Sequence, residues 1–169
     1  MVFQASLAAA GAEPELLEPE RAFQLSAVYK DSKTVELRYK IADGYYMYRG
    51  RFKFDLGSVS AARLGKATFP KGNMKQDPTF GRVETYRDSV RILLPVTSTG
   101  KQLASPDAPA LHLKVTSQGC ADAGVCYPPM HQALTLLPAT LGVVLADSTP
   151  GGSTRGGPQS ISATLKKSK

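Results

Sequence analysis

Apolar and polar residues alternate in short runs along most of this chain, and no segment carries a sustained apolar period of 3.6 residues. Alternation marks a strand that buries one face and wets the other, so this pattern commits the chain to β structure. Phe23–Tyr29 (FQLSAVY) and Thr34–Ile41 (TVELRYKI) alternate cleanly, with a turn at Asp31 and Ser32 between them. Asp43 and Gly44 form a second turn signal ahead of the aromatic run Tyr45–Tyr48 (YYMY). Arg51–Leu56 (RFKFDL) puts Phe52, Phe54 and Leu56 on one face. Val83–Tyr86, Val90–Val96, Leu111–Gln118 and Gln132–Leu137 read as further strands, with Thr97–Pro109 as a connecting loop. Gly57–Gly81 is less regular. Its turn formers Lys71-Gly72-Asn73 and Asp77-Pro78 predict a loop-rich insertion holding a short hairpin. One helical turn is expected at Glu18–Phe23, where Pro19 suits an early helical position. Many short strands separated by turns favour an antiparallel sandwich.

With 169 residues, the chain suits one domain with tails. No apolar run approaches the roughly 20 residues that cross a bilayer as a helix. The opening MVFQASLAAAG has neither a basic start nor a long apolar centre, and reads as a mature start after leader removal. Residues 1–17 are expected to form a flexible lead-in, and residues 18–147 the globular domain. Residues 148–169, rich in Gly, Ser, Thr, Pro and Lys, bury too little apolar area to offset their ordering entropy and read as a disordered linker. The net charge is +7, but Arg155, Lys166, Lys167 and Lys169 of that tail carry four of these charges. The small remaining excess comes with no nucleic-acid motif, so a solvated surface is expected and no nucleic-acid partner.

The only two cysteines, Cys120 and Cys126, sit six positions apart in SQGCADAGVCYPP (Ser117–Pro129). Asp122 and Gly124 suit turn positions, and Pro128 with Pro129 stiffens the exit. A hairpin of this kind brings two cysteines toward bridging range. Spacing alone leaves a structural staple and a redox bridge level. A staple closing so short a loop stabilises by about 2 kcal/mol in the chain-entropy model. A tip is also reachable by a partner. A metal site built from Cys120, Cys126 and His131, with Met130 nearby, is a third reading, although the spacing matches no zinc pattern. No basic residue adjoins either cysteine in sequence, and Asp122 opposes a thiolate.

Three segments in order, DGYYMYR (Asp43–Arg49), FGRVETYRD (Phe80–Asp88) and QGCADAGVCYPP (Gln118–Pro129), resemble the family of N-terminal domains of DsbD-type thiol:disulfide interchange proteins. The resemblance runs from about Pro19 to Leu137. It implies an all-β, immunoglobulin-like antiparallel β-sandwich with a small inserted subdomain and a cap loop over the cysteine pair. It implies a protein-disulfide reductase module in the periplasm, tethered to a missing transmembrane domain of an inner-membrane parent. Electrons would arrive from the C-terminal thioredoxin-like domain of the same parent. They would leave to periplasmic thioredoxin-fold proteins, a disulfide isomerase and a cytochrome c maturation factor among them. Cys126 would join partners in mixed disulfides and Cys120 would complete the exchange, with no cofactor beyond the pair. The isolated domain is expected to be monomeric. Tyr46 and Tyr48 match tyrosines near the family's cysteines, although aromatic packing in a sheet accounts for them equally. Asp77 falls where the family has an active-site acid, and as a lone loop acid it is equally a turn residue. The cap loop maps to Pro78, Thr79, Phe80 and Gly81. Here the sequence departs from the family: Thr79 stands on the usual cap phenylalanine and Phe80 one place on. Either Phe80 takes over as lid or the shielding is weaker. The alternative function is a non-catalytic secreted β-sandwich binding domain with a structural disulfide.

Overall fold

The computed structural model describes residues 15–57, 62–98, 100, 103, 105–138 and 144–145. Most of the expected lead-in and the whole expected linker lie outside the described residues. One helical turn, α1 (Pro19–Ala22), leads into β1 (Phe23–Asp31), β2 (Thr34–Ile41) and β3 (Tyr45–Tyr48). A 3-10 turn at Arg49–Arg51 precedes β4 (Lys53–Leu56), β5 (Ala62–Leu64), β6 (Asn73–Asp77) and β7 (Gly81–Tyr86). The chain continues through β8 (Ser89–Ser98), β9 (Leu111–Ser117), β10 (Gly119–Ala121), β11 (Met130–Leu136) and β12 (Val144–Leu145).

Two sheets form the sandwich, one ordered β12-β1-β2-β8-β5 and the other β11-β9-β4, with antiparallel pairing throughout. The alternation seen in the sequence becomes burial on one face. Leu111, Leu113 and Val115 of β9 are buried while His112 and Lys114 are exposed. Leu37, Tyr39, Ile92 and Leu94 supply the facing layer from β2 and β8. Burying one such side chain contributes roughly 1.5–3 kcal/mol, and a one-residue slip would expose the set, so register is tightly specified. The sandwich has no tryptophan. Its polar cross-tie is the Tyr39 hydroxyl, 3.0 Å from Gln132 Oε1 and 3.2 Å from Ser117 Oγ. All three groups are buried, so each needs the others.

A third sheet, ordered β10-β3-β7-β6, is the expected inserted subdomain joined to the cysteine strand. It forms because the chain changes sheets at Gln118. Leu111–Gln118 reads from sequence as one strand, but β9 ends at Ser117 and β10 pairs instead with β3, placing Cys120 opposite Tyr46. The expected strand over Arg51–Leu56 also starts later, at Lys53, because the Arg49–Arg51 turn precedes it; Phe52 and Phe54 still stack on one face. The hairpin expected within Gly57–Gly81 runs past that segment: β6 pairs with β7, which begins at Gly81 and takes in the strand expected separately at Val83–Tyr86, and the cap segment is its tip.

Candidate active site

Strand β3 is buried at all four positions because it is covered on both faces. Tyr45 and Met47 enter the main core, whereas Tyr46 and Tyr48 join Cys120 in a small separate cluster flanked by Val83. The period of two that put both tyrosines on one face thus aims them at the cysteine. On β10 the same alternation sends Gly119 and Ala121 inward and Cys120 to the opposite face. Gly119 is obligatory: a Cβ there would lie 2.4 Å from the fully buried Phe23 ring and 2.7 Å from the Tyr46 carbonyl oxygen.

The hairpin loop closes through Gly124 N–H donating to the Ala121 carbonyl (3.0 Å) and Ala121 N–H donating to the Val125 carbonyl (2.8 Å). Gly124 takes φ +88, a region costly for other residues. Cys120 and Cys126 then face one another as an isolated antiparallel bridge, Cα atoms 4.0 Å apart, and are joined by a disulfide. Their environments differ sharply. Cys120 has no exposed surface, whereas Cys126 is exposed. His131 and Met130 do not converge on the sulfurs as a ligand set. They lie on β11, where His131 Nδ1 pairs with Thr116 Oγ1 at 3.0 Å.

Above the disulfide sits the Tyr48 hydroxyl, 3.2 Å from Cys120 Sγ and 3.9 Å from Cys126 Sγ. It donates to Asp77 Oδ2 at 2.6 Å. Desolvation, reinforced by the Asp77 carboxylate, raises the Tyr48 pKa far above that of an ordinary phenol, so this hydroxyl keeps its proton. The Tyr48 hydrogen bond in turn lowers the Asp77 pKa, assisted by backbone N–H groups of Phe80 (3.0 Å) and Thr79 (2.8 Å) donating to Oδ1. Asp77 is therefore both a turn residue and a neighbour of the sulfurs through one hydroxyl. Its Oδ1 shapes the cap turn while Oδ2 holds Tyr48.

The cap segment is the tip of the β6–β7 hairpin. Pro78 and Thr79 are exposed, and Gly81 closes the turn at φ +72. The Phe80 ring packs edge-on against Tyr48 with centroids 5.4 Å apart, yet stays 39% exposed. Phe80 is thus the aromatic over the Tyr48 side of the site. Its outer face carries the Arg51 guanidinium, 4.2 Å from the ring centroid.

Sequence spacing missed the basic residues. Lys75 Nζ lies 3.6 Å from the Tyr46 ring centroid, and the Arg87 guanidinium 5.2 Å from it. Arg87 also forms two hydrogen bonds to Asp122, at 2.8 and 2.6 Å. This pairing lowers the Asp122 pKa and largely offsets the charge that sequence alone sets against a thiolate. The TYRD segment held the signal, but its meaning depends on β7 lying beside β3. The backbone of Leu17 is also held, its N–H donating to the Tyr45 hydroxyl (2.8 Å) and its carbonyl accepting from Tyr127, the residue after Cys126.

An immunoglobulin-like sandwich with a disulfide at a hairpin tip, one sulfur sheltered and one presented, defines a class of small cysteine-pair domain. The chain belongs to the family of DsbD N-terminal domains: the family model described as "Thiol:disulfide interchange protein DsbD, N-terminal" matches residues 13–138. A thiol:disulfide interchange protein DsbD of Ralstonia nicotianae is 46% identical over 143 residues, covering 82% of this chain and 22% of the relative. DsbD of Neisseria meningitidis serogroup B is 39% identical over 117 residues, covering 69% of this chain and 18% of the relative. The chain therefore spans about a fifth of the length of these relatives. The crystal structure of the Neisseria meningitidis DsbD N-terminal domain in the reduced form matches with a TM-score of 0.65 at 32% identity, covering 78% of this chain and 96% of that one. A complex between the DsbD N-terminal and PilB N-terminal domains from the same species matches with a TM-score of 0.58 at 33% identity, covering 72% of this chain and 87% of that one.

Proposed function

We propose that this domain is a protein-disulfide reductase module whose Cys120–Cys126 pair cycles between dithiol and disulfide. The observation that carries this reading is the asymmetry of the pair, Cys126 exposed and Cys120 fully buried. Thiol–disulfide exchange needs one sulfur that a foreign disulfide can reach and a second that acts only afterwards. In the reduced domain the Cys126 thiolate attacks one sulfur of a partner disulfide. An S–S bond forms between domain and partner, and the other partner sulfur leaves as a thiolate. Cys120 then attacks Cys126 Sγ, the mixed disulfide breaks, and the partner's second sulfur leaves. Two electrons pass to the partner, whose two thiolates take up protons from solvent, and the domain returns to the disulfide form.

Cys120 must lose its proton to attack. Once the disulfide is open, its thiol donates to the Tyr48 oxygen 3.2 Å away, while Tyr48 already donates to Asp77. The proton moves along this chain, Asp77 being a transient acceptor. At rest the same carboxylate opposes a thiolate beside it, which limits indiscriminate reduction.

The family and the Neisseria complex support thioredoxin-fold partners. We assign the electron donor as the C-terminal thioredoxin-like domain of the same parent, and the location as the periplasmic face of a bacterial inner membrane. The acceptors are periplasmic thioredoxin-fold proteins such as a disulfide isomerase and a cytochrome c maturation factor. A Cys120→Ala variant tests this. Incubated with an oxidised thioredoxin-fold protein, it accumulates a long-lived mixed disulfide through Cys126, seen as a reducible mass adduct. Absence of the adduct, with Cys126 titrating as a free thiol, would overturn the reading.

A further inference from the structure

The aromatic cap has a second side. A groove of about 890 Å3 begins at Tyr48 and Phe80 and runs away from the disulfide along the Arg49–Phe54 segment. Its floor is aromatic: the Phe52 ring lies 5.7 Å from Phe69 and 6.5 Å from Phe54. Its rim is basic, with Arg51, Lys53, Lys66 and Arg82 all exposed. None of these four forms an ion pair among the described residues. The single carboxylate in the lining, Glu84, is engaged by Arg49 and by the Gly72 N–H. Four cations around an aromatic floor repel one another, and no carboxylate among the described residues pairs with them.

We infer that this groove docks an acidic segment of the redox partner, one whose carboxylates flank the partner's disulfide. The inference rests on the exchange reading above and names the chemistry of the partner. Continuity with the site supports it, since Tyr48 and Phe80 belong both to the groove and to the cysteine cover. Charge also disfavours another occupant, the chain's own C-terminal stretch. From Thr149 onward that stretch holds four basic residues and no acid. Docking here couples to the cap as well. Arg51 braces the outer face of Phe80, and a partner carboxylate competes with the ring for that guanidinium.

The test uses the reduced full chain and three synthetic peptides with the same internal disulfide loop. Their flanks are glutamate-rich, lysine-rich or Gly-Ser. The acidic peptide is expected to be reduced about tenfold faster than the basic one at low ionic strength, with the advantage shrinking as salt is added. A Lys53→Glu, Lys66→Glu, Arg82→Glu triple variant should reverse that preference. It should leave the Gly-Ser rate unchanged, which also verifies that the variant folds and that its cysteines react. Equal rates for acidic and basic peptides, or a preference that survives the triple reversal, would overturn the groove assignment. A wild-type chain that reduces none of the three peptides overturns this inference, whereas the exchange reading falls only if the Cys120→Ala variant also captures no oxidised thioredoxin-fold protein.

Discussion

One phenolic oxygen, that of Tyr48, links the sulfur chemistry to the cap. It lies near both sulfurs and donates its proton to Asp77, which also organises the turn carrying Phe80. Tyr48→Phe keeps the ring against Phe80 and removes only the hydroxyl. The resolving step by Cys120 should then slow by about 10²-fold, the lower range for a positioned proton-transfer group. Stopped-flow decay of a preformed mixed disulfide measures it, and an unchanged rate would remove Tyr48 from the proton path. Asp77 makes a second prediction through pH. Its folded pKa is depressed below the ordinary 3.8, so the stabilisation it gives the cap turn is present above that value and is lost as pH falls through the depressed one. Reduction of the disulfide by a water-soluble phosphine, corrected for the reagent's own titration, should accelerate below that range in the wild type. In Asp77→Asn it should be fast already at neutral pH. A flat wild-type profile would contradict the role. At this scale much of the candidate site was legible in the sequence, because Cys120, Cys126, Tyr46 and Tyr48 sit in short recognisable segments and Asp77 lies just ahead of one. Arg51 on Phe80 and Arg87 on Asp122 were not, since each contact joins residues far apart in the chain and depends on which strands become neighbours.

At the scale of elements, the feature that builds the site is the change of sheet at Gln118. Alternation runs from Leu111 through Thr116 and then fades over Ser117 and Gln118, so sequence patterning extends one strand to Gln118 and gives no sign that β10 joins another sheet. What redirects the chain is the fit between Gly119 and β3: only a residue without Cβ clears the Phe23 ring and the Tyr46 carbonyl. Gly119→Ala should therefore destabilise the domain by about 1–3 kcal/mol, as overpacking of a dense core does. It should also displace Cys120 relative to Tyr48. Urea unfolding monitored by circular dichroism gives the first effect, and an unshifted midpoint would show that β10 has room to spare. The strands themselves were largely readable, β2 to the residue, because half-buried strands write their burial directly into composition. The β6–β7 hairpin was readable only in outline. Its burial is shallow, and Met74 at 55% exposure breaks the apolar code.

Over the whole molecule, the sandwich acts as a rigid frame that presents one small reactive sheet. Cys120 lies in a cluster apart from the main core and Cys126 is exposed, so opening their bond leaves the packing of β1, β2, β8, β9 and β11 intact. The bridge encloses only a short loop, and its chain-entropy contribution to stability is about 2 kcal/mol. A relative's N-terminal domain in the reduced form matches this fold. The all-β architecture was evident from alternation alone, whereas the immunoglobulin-like topology came from resemblance, since strand order is a property of long-range pairing. The central claim is that Cys120–Cys126 exchanges electrons rather than staples the fold. Its reduction potential, measured by equilibrating the intact domain with a thioredoxin of known potential and quantifying alkylated thiols, tests this most directly. An exchanging pair equilibrates in the thioredoxin-fold range, about −270 to −120 mV, whereas a value below about −300 mV would mark the bond as structural and contradict the account.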